Sequence, residues 1–335
     1  MEGIRDEKNF LAAMLSTTIL CSAMAACGNQ STTPDTDDTA KSSSSSTSTN
    51  VKGTIAVVTK TMNNPFHVTY GEAIKQAGEA AGYEVLVSGP DAETDVDKQI
   101  SLIETYIEQG VSAIVTSACS STAIVDVIEQ ADAKGIPVFL VDSGADGGPY
   151  VTFIGTDNYA GGQLAGEWVG ENVDSGKCVI LDGNSGNDAT TKRVKGFSEV
   201  ITDKYPKIEI VASDYANCEI SKAMEVTENF LAAYPDLKVI FCANDNMAIG
   251  AGQAVAAAGL RDQIKICGFD GQPDAAQAII DGEIDATIAQ KPATMGKMVV
   301  DAIEKYEAGE TVDKEVDTGC DVVTKDNAKT YLNWQ

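Results

Sequence analysis

Polar side chains stand where several strand-like apolar runs end, and their types define the chemistry that the chain could perform. Two are carboxylates: Asp142 follows Phe139-Leu140-Val141, and Asp270 follows Cys267-Gly268-Phe269. A pair of carboxylates facing one cleft could act as the acid and base of glycoside hydrolysis. Equally, ionised carboxylates could accept charge-assisted hydrogen bonds from neighbouring hydroxyl groups of a polyol. The strand-end positions are Asn64, Asp142, Asn244, Asp270 and Gln290.

The amides in this set favour binding over catalysis. Planar amides and carboxylates suit vicinal hydroxyl groups because each can engage two of them at once. Phe66 and Tyr215 add aromatic faces, which suit the C–H face of a sugar ring. The set supplies neither a metal cluster nor an activated nucleophile, and it is therefore the inventory of a neutral polyol site.

Other chemistry has little support in the sequence. His67 is the only histidine, which excludes histidine-rich zinc sites and means that any Ser-His or Cys-His catalysis must use it. Ser185 follows a strand-like run but lacks the Gly-x-Ser-x-Gly elbow, and the chain has no Gly-x-x-x-x-Gly-Lys-Ser/Thr loop for phosphates. We therefore expect no enzyme activity, no cofactor and no metal.

Alternating strands and helices must position these residues. A buried strand is predicted over residues 53–58, and a helix pattern follows Pro65, with further helical repeats over 96–107 and 124–131. Other strands are predicted at 113–116, 137–141, 151–154, 178–181, 208–212, 237–242, 264–267 and 285–289. Strict alternation predicts parallel sheets with right-handed crossovers, whose ligands bind at the carboxyl ends of the strands. About ten strands exceed one compact core, so we expect an α/β fold of two similar doubly wound lobes.

The charge and the cysteines limit the partners. A formal net charge of −26 over 335 residues argues against nucleic-acid binding. Two of the eight cysteines lie near the N-terminus, and the others are widely spaced, mostly within apolar runs. The spaced cysteines are predicted to be buried free thiols that act as small apolar side chains.

The first fifty residues have a different composition from the rest. Residues 10–26 are moderately apolar and end in Met24-Ala25-Ala26 before Cys27, which looks like a bacterial lipoprotein signal in which Cys27 becomes the lipidated first residue. A generic signal peptide is the near alternative. Residues 28–50 are mainly Ser, Thr and Asp, a composition typical of a flexible tether.

Several motifs also occur in the order found in one known group. The chain resembles the pentose and hexose substrate-binding proteins of ABC importers, which have the type I periplasmic-binding fold, and most closely the ribose-binding type. The likeness covers residue 52 to the C-terminus. The motifs are Asn63-Asn64-Pro65-Phe66, Val141-Asp142, Arg193-x-x-Gly196-Phe197, Ala243-Asn244-Asp245, Gly268-Phe269-Asp270-Gly271 and Ala286-Thr287-Ile288-Ala289-Gln290.

The resemblance implies two lobes joined by three hinge segments, with the ligand cleft between them. One lobe is expected over 52–156 and 291–318 and the other over 157–290 and 319–335, after a signal peptide at 1–27 and a tether at 28–51. Hinge closure would bury a monosaccharide or polyol, and the membrane subunits of an ABC importer would recognise the closed form. The protein is expected to be a monomer outside the cytoplasm, lipid-anchored to the outer face of the cytoplasmic membrane (periplasmic if the host has an outer membrane).

By the same resemblance, Asn64 and Phe66 would contact the sugar from the first lobe, and Asp142 would accept hydrogen bonds from its hydroxyl groups. Polar contacts from the second lobe and a crossing segment would come from Asn244, Asp270 and Gln290. The pattern differs where the ribose-binding type has two arginines and two aromatic residues. Those positions correspond to Ser143, to Thr191 with Arg193 close by, to His67 and to Cys218.

These departures predict a ligand other than ribose. A site built around two guanidinium groups offers about ten donors, and a site without them would select a different hydroxyl pattern. We expect another pentose, a hexose, a sugar alcohol or a cyclitol. Three alternatives remain at this point: a sugar-sensing partner of a membrane receptor, a glycoside hydrolase that uses Asp142 and Asp270, and a sugar-responsive transcription factor. The last would need an N-terminal helix-turn-helix in place of the apolar signal and the tether.

Overall fold

Two six-stranded sheets organise residues 51–334, the part of the chain that the structure, a computed structural model, describes. The strands are short runs of β-branched and small apolar residues, such as Ile55-Ala56-Val57-Val58, which is fully buried. Strands of this composition are expected in parallel sheets whose two faces are both covered by helices. The predicted α/β fold of two doubly wound lobes is confirmed.

The first sheet belongs to the first lobe, and all its strand pairs are parallel. Its order is β11-β5-β4-β3-β1-β2, so the chain passes from β1 to the edge strand β2 and then continues on the other side of β1 through β3, β4 and β5. Its strands are β1 (Thr54–Val58), β2 (Glu84–Ser88), β3 (Ala113–Thr116), β4 (Val138–Val141), β5 (Phe153–Gly155) and β11 (Glu315–Asp317). Its helices are α1 (Pro65–Ala80), α2 (Val96–Gln109), α3 (Val125–Ala133) and α9 (Pro292–Glu307).

The second sheet repeats this plan with the order β12-β10-β9-β8-β6-β7. Its last strand, β12, runs antiparallel to β10, and the other pairs are parallel. Its strands are β6 (Gly176–Asp182), β7 (Ile208–Tyr215), β8 (Leu237–Cys242), β9 (Lys265–Asp270), β10 (Ala286–Ala289) and β12 (Asp321–Thr324). Its helices are α4 (Asn158–Asn172), α5 (Asp188–Lys204), α6 (Ile220–Ala233), α7 (Asp245–Ala257) and α8 (Pro273–Asp281), followed by a 3₁₀ turn (Ala328–Tyr331).

Each sheet has a hydrophobic core on both of its faces. In β1, Ile55 and Val57 point to the core under α1 and α9, whereas Ala56 and Val58 point to the core under α2 and α3. This alternation follows from the two-residue period of a strand. The second sheet is likewise covered by one core on the α4–α5 side and another on the α6–α7–α8 side.

The chain passes between the two sheets three times. It leaves β5 for α4 through residues 156–157, leaves β10 for α9 through residues 290–291, and leaves β11 for β12 through residues 318–320. The crossings lie side by side, because β11 pairs with β5 in one sheet and β12 pairs with β10 in the other. Three adjacent crossings form the hinge that the resemblance implied.

Most predicted strands are confirmed, but three were missed. β2 is an edge strand that begins with a charged residue and is only partly buried, so it lacks the apolar signal of the central strands. β11 and β12 contain three and four residues and also lie at sheet edges.

Five of the cysteines within residues 51–334 are buried free thiols, as expected, and Cys320 is partly exposed. Within the same residues, no helix has the length and apolar character needed to cross a bilayer.

Candidate functional site

The carboxyl ends of the strands in both lobes face a buried polar cavity. Asn64 caps α1 after β1, Asp142 follows β4, and Asn244 caps α7 after β8. The cavity has a volume of only about 10 Å³, far below the roughly 300–1,000 Å³ of pockets for drug-sized ligands, so the side chains around it nearly fill it in this arrangement. It is lined by Lys60, Asn64, Phe66, His67, Glu93, Asp142, Asn187, Thr190, Arg193, Cys218, Asn244 and Asp270.

Asp142 is a buried carboxylate of the first lobe with several polar partners. Its Oδ2 accepts hydrogen bonds from Ser117 (2.9 Å) and Ser143 (3.2 Å) and lies 3.2 Å from the Nζ of Lys60. Burial alone would raise the pKa of Asp142, but the charges of Lys60, His67 and Arg193 outweigh it and lower this pKa to about 2. The cavity therefore holds an acceptor at this point that is ionised near neutral pH.

Arg193 connects the carboxylates of the two lobes. Its Nη1 lies 3.2 Å from Oδ1 of Asp270, and its Nη2 lies 3.9 Å from Oδ1 of Asp142. The Nε of Arg193 donates to Asn158 at 2.8 Å, and the guanidinium carbon lies 3.9 Å from the ring centre of Phe269. These contacts fix the guanidinium plane, so it presents its donors to the cavity in one orientation.

Close packing of α4 against α5 brings Arg193 to this place. A Cβ atom on Gly162 would lie 2.1 Å from the carbonyl oxygen of Arg193, and one on Gly196 would lie 2.1 Å from that of Tyr159. Only glycine leaves room for two helix backbones at this separation. The motif Arg193-x-x-Gly196 thus combines the cavity residue with the residue that allows the helix to approach.

Asp270 forms the second-lobe counterpart of Asp142. Its Oδ1 accepts a hydrogen bond from Nε2 of Gln290 at 2.8 Å. Burial raises the pKa of Asp270, and Arg193 offsets this effect in part. Behind it, Asp245 accepts a hydrogen bond from Thr287 at 2.6 Å, and burial together with the charge of Asp270 raises the pKa of Asp245 well above its usual range.

His67 and Glu93 form a buried pair at the first-lobe side of the cavity. The Nε2 of His67 lies 3.0 Å from Oε1 of Glu93, which also accepts a bond of 3.4 Å from Nδ2 of Asn64. Burial would raise the pKa of Glu93, but His67 and Lys60 outweigh it and lower this pKa to about 2. Within residues 51–334, Nδ1 of His67 and Oε1 of Gln290 are buried and have no hydrogen-bond partner. Both atoms retain the capacity to bind a ligand hydroxyl group.

Asn187 of the second lobe contacts two charged residues of the first. Its Oδ1 accepts a hydrogen bond from Lys60 at 3.4 Å, and its Nδ2 donates to Oε2 of Glu93 at 3.4 Å. The backbone amide of Ser121 donates to the carbonyl oxygen of Gly186 at 3.1 Å, again between lobes. The lobes are therefore in contact across the cavity, which is the closed arrangement of a hinged pair.

The structure brings together most of the residues that the sequence predicted. The predicted residues that line the cavity are Asn64, Phe66, His67, Asp142, Arg193, Cys218, Asn244 and Asp270. Gln290 and Ser143 are buried beside it and donate hydrogen bonds to Asp270 and Asp142 respectively. Cys27 lies outside the described residues.

Two predicted positions lie away from the cavity. Thr191 is exposed on α5, because Thr190 and Arg193, three residues apart, share the helix face that points inward. The expected loss of both guanidinium groups is therefore wrong, since Arg193 supplies one. Tyr215 ends the edge strand β7 with 48% of its surface exposed, and it does not line the cavity.

Four residues that line the cavity were not predicted from the sequence: Lys60, Glu93, Asn187 and Thr190. Lys60 lies two residues after the end of β1, so its position near the strand end was an available signal. Asn187 was recognisable as a helix cap before Asp188, although that role alone would not place it in the cavity. Glu93 lies in a polar loop after β2, and nothing local distinguishes it from its exposed neighbours.

Two doubly wound lobes that enclose a buried, mainly polar cavity define a two-lobed binding protein. The chain belongs to the family of the periplasmic binding protein domain, whose sequence pattern matches residues 55–311.

Characterised members and solved structures are similar over most of the chain. A ribose import binding protein of Bacillus subtilis is 34% identical over 264 residues, which cover 78% of this chain and 84% of that protein. The D-allose-binding periplasmic protein of Escherichia coli is 33% identical over 270 residues, 77% of this chain and 86% of that protein. A carbohydrate transporter solute-binding protein from Agrobacterium radiobacter, solved with D-arabinose, has 30% identity and a TM-score of 0.80 over 84% of this chain and 99% of its own.

Proposed function

We propose that the protein captures a neutral monosaccharide or polyol outside the cell and delivers it to the membrane subunits of an ABC importer. The observation that carries this proposal is the closed polar cavity: Nδ1 of His67, which lines it, and Oε1 of Gln290, buried beside it, have no hydrogen-bond partner within residues 51–334. A hydroxyl-rich ligand would satisfy both atoms, whereas an apolar ligand would leave them unpaired at a cost of about 1–3 kcal/mol each. The sugar-binding relatives support the same ligand class.

The charges of the cavity support a neutral ligand. Each cation faces a carboxylate: Lys60 is paired with Asp142, and Arg193 with Asp270. Glu93 is paired with His67. No cationic side chain among the lining residues lacks an anionic partner, so an anionic ligand would find no uncompensated positive charge. Uncharged hydroxyl groups can bond to these groups without changing the balance.

The ligand contacts in this proposal come from both lobes. Phe66 packs on the sugar ring, and Cys218 fills space beside it. As proposed units of motion, the lobes retain the expected boundaries of 52–156 with 291–318 and 157–290 with 319–335. The polar contacts are Lys60, Asn64, His67, Glu93, Asp142, Asn187, Thr190, Arg193, Asn244, Asp270 and Gln290.

Asp142 and Asp270 act in this proposed function as hydrogen-bond acceptors rather than as a catalytic pair. Both carboxylates contact the same guanidinium group, that of Arg193, which holds them in place for hydroxyl recognition. A hydrolase would instead release reducing sugar from a glycoside and lose this activity in the Asp270→Asn variant.

Melting curves with a panel of pentoses, hexoses, sugar alcohols and cyclitols test the proposed function. A ligand at about 100 times its Kd adds about 2.7 kcal/mol to the free energy of unfolding, so Tm should rise by several degrees. Thr190→Ala should weaken binding of the responding sugar, whereas its neighbour Thr191→Ala, on the exposed face of α5, should leave the affinity unchanged. Absence of any shift across the whole panel would contradict the proposal.

A further inference from the structure

The C-terminal segment, residues 325–334, links the two lobes outside the three hinge crossings. It follows β12 of the second sheet, and Ala328 and Tyr331 pack into the second-lobe core beneath α8. Trp334, three residues after Tyr331, packs instead against the first-lobe core under α1. The segment is therefore anchored on one lobe and ends on the other.

Trp334 contacts the aromatic residue that lines the cavity. Its ring centre lies 5.9 Å from that of Phe66, at an interplanar angle of 66°. His67 and Tyr70 also meet Phe66 edge to face, at 5.6 and 5.9 Å, but both belong to the same helix as Phe66. Trp334 is thus the one ring in this group that reaches Phe66 from a segment held by the opposite lobe.

We propose that Trp334 is a positioning residue that holds the Phe66 ring toward the ligand and ties its position to closure of the lobes. The inference rests on the proposed function, since Phe66 has a ligand to pack on only if the cavity binds one. In the closed arrangement Trp334 stabilises the Phe66 ring by edge-to-face packing. When the lobes separate, a segment anchored on the second lobe must change its contact with Phe66. Ligand binding and the Trp334 contact therefore favour each other.

The tryptophan content of the chain provides a direct test. The sequence has two tryptophans, Trp168 and Trp334. Trp168 lies on α4 and packs against the second-lobe core, away from the cavity. In the Trp168→Phe variant, fluorescence reports Trp334 alone, and it should change on addition of a sugar that raises Tm. In the Trp334→Phe variant, fluorescence reports Trp168 alone and should stay constant.

Affinity measurements separate positioning from general stability. Trp334→Ala should weaken binding about 3- to 10-fold, the range expected for loss of one aromatic pair, and Trp334→Phe should restore most of it. Leu332→Ala is the matched control: it changes the same segment at a side chain that is 38% exposed, and its affinity should equal that of the wild type. The proposal is overturned if the fluorescence of Trp334 does not change when sugar is added and the affinity of Trp334→Ala equals that of the wild type.

A measurement without ligand distinguishes failure of this inference from failure of the proposed function. If no sugar shifts the melting curve of the wild type, the sugar-binding proposal fails. The contact can still be judged from a double-mutant cycle on the unfolding equilibrium of Phe66→Ala and Trp334→Ala. Coupling of about 2- to 10-fold supports the contact between lobes, and additive effects overturn it.

Discussion

At the scale of single residues, the two cavity carboxylates are held in backbone conformations that side chains with a Cβ rarely adopt. Asp142 has a φ of 64° and Asp270 a φ of 131°. Such strain persists where surrounding contacts compensate for it, and Arg193 contacts both carboxylates. Each Asp stands at the end of a strand, and its carboxylate lines the cavity between the lobes. The strained backbone and the shared guanidinium act together to define the site.

The lowered pKa of Asp142 predicts a specific acid sensitivity. Its folded pKa of about 2 lies below the usual 3.8, so the stabilisation is present above about pH 4 and is lost as the pH falls toward 2. The difference in unfolding free energy between wild type and Asp142→Asn should therefore shrink by about 2 kcal/mol between pH 5 and pH 2. Urea unfolding at both pH values measures it.

Asp97→Asn, at an exposed position of α2, is the control for removing one negative charge. A difference between wild type and Asp142→Asn that stayed constant over this pH range would show that the carboxylate is not held in its ionised form by Lys60, His67 and Arg193.

At the scale of elements, all three crossings contain a buried polar atom without a hydrogen-bond partner within residues 51–334. These atoms are Thr156 Oγ1, Gln290 Oε1 and Thr318 Oγ1, one in each crossing. An unpaired buried hydroxyl group raises the free energy of the closed form. This cost is removed if the hydroxyl group becomes accessible to water and hydrogen-bonds to it. The two hinge threonines therefore favour the open form, while Gln290, beside the cavity, can instead be satisfied by the ligand.

Replacing a hinge threonine with valine should tighten sugar binding. Thr156→Val removes a hydroxyl group that is unpaired in the closed form, so closure becomes easier by up to about 1 kcal/mol, or about fivefold in Kd. Thr318→Val should act in the same direction, and calorimetric titration measures both. Thr227→Val is the matched control, because this hydroxyl group is also buried and unpaired but lies in α6, within one lobe. If Thr227→Val tightened binding as much as Thr156→Val, the effect would not come from the hinge.

At the scale of the whole molecule, strand direction separates the cavity from the N-terminal end of the described chain. β1 begins at Thr54 and leads into the cavity through Lys60, so its amino end lies at the opposite edge of the sheet. Val51, just before it, is 54% exposed. The described chain therefore begins at the edge of the sheet that lies opposite the cavity.

We accordingly predict that Cys27→Ser releases the protein from membranes without changing its affinity for sugar. Lipidation of Cys27 would hold the protein to the bilayer, and serine cannot carry the thioether-linked lipid. Detergent-phase partitioning and membrane fractionation measure the release, and Cys119→Ser, at a buried thiol, is the control. Equal membrane retention of the wild type and Cys27→Ser would contradict lipid anchoring at this residue.

The sequence alone determined the fold class and much of the site. A strand buried on both faces appears in the sequence as a short apolar run, and an amphipathic helix appears as a helical repeat of apolar residues. Because both patterns are local, the alternation of strands and helices could be recognised from the sequence. Because parallel strands end at one edge of a sheet, Asp142 and Asp270 could each be assigned to such an edge, and to one cleft if the two lobes face each other. The family could also be recognised from the sequence. Its motifs occur in a fixed order, and each of them spans only a few consecutive residues.

Only the tertiary structure decided which side chains meet between the lobes. Thr190 rather than Thr191 faces the cavity because of the rotation of α5 against α4, which depends on the glycine contacts of two helices. Glu93 and Asn187 are 94 residues apart in the chain and contact each other across the cleft. Trp334 reaches Phe66 from the far end of the sequence. These contacts depend on how three hinge crossings orient two separately folded sheets, and no local periodicity encodes that orientation.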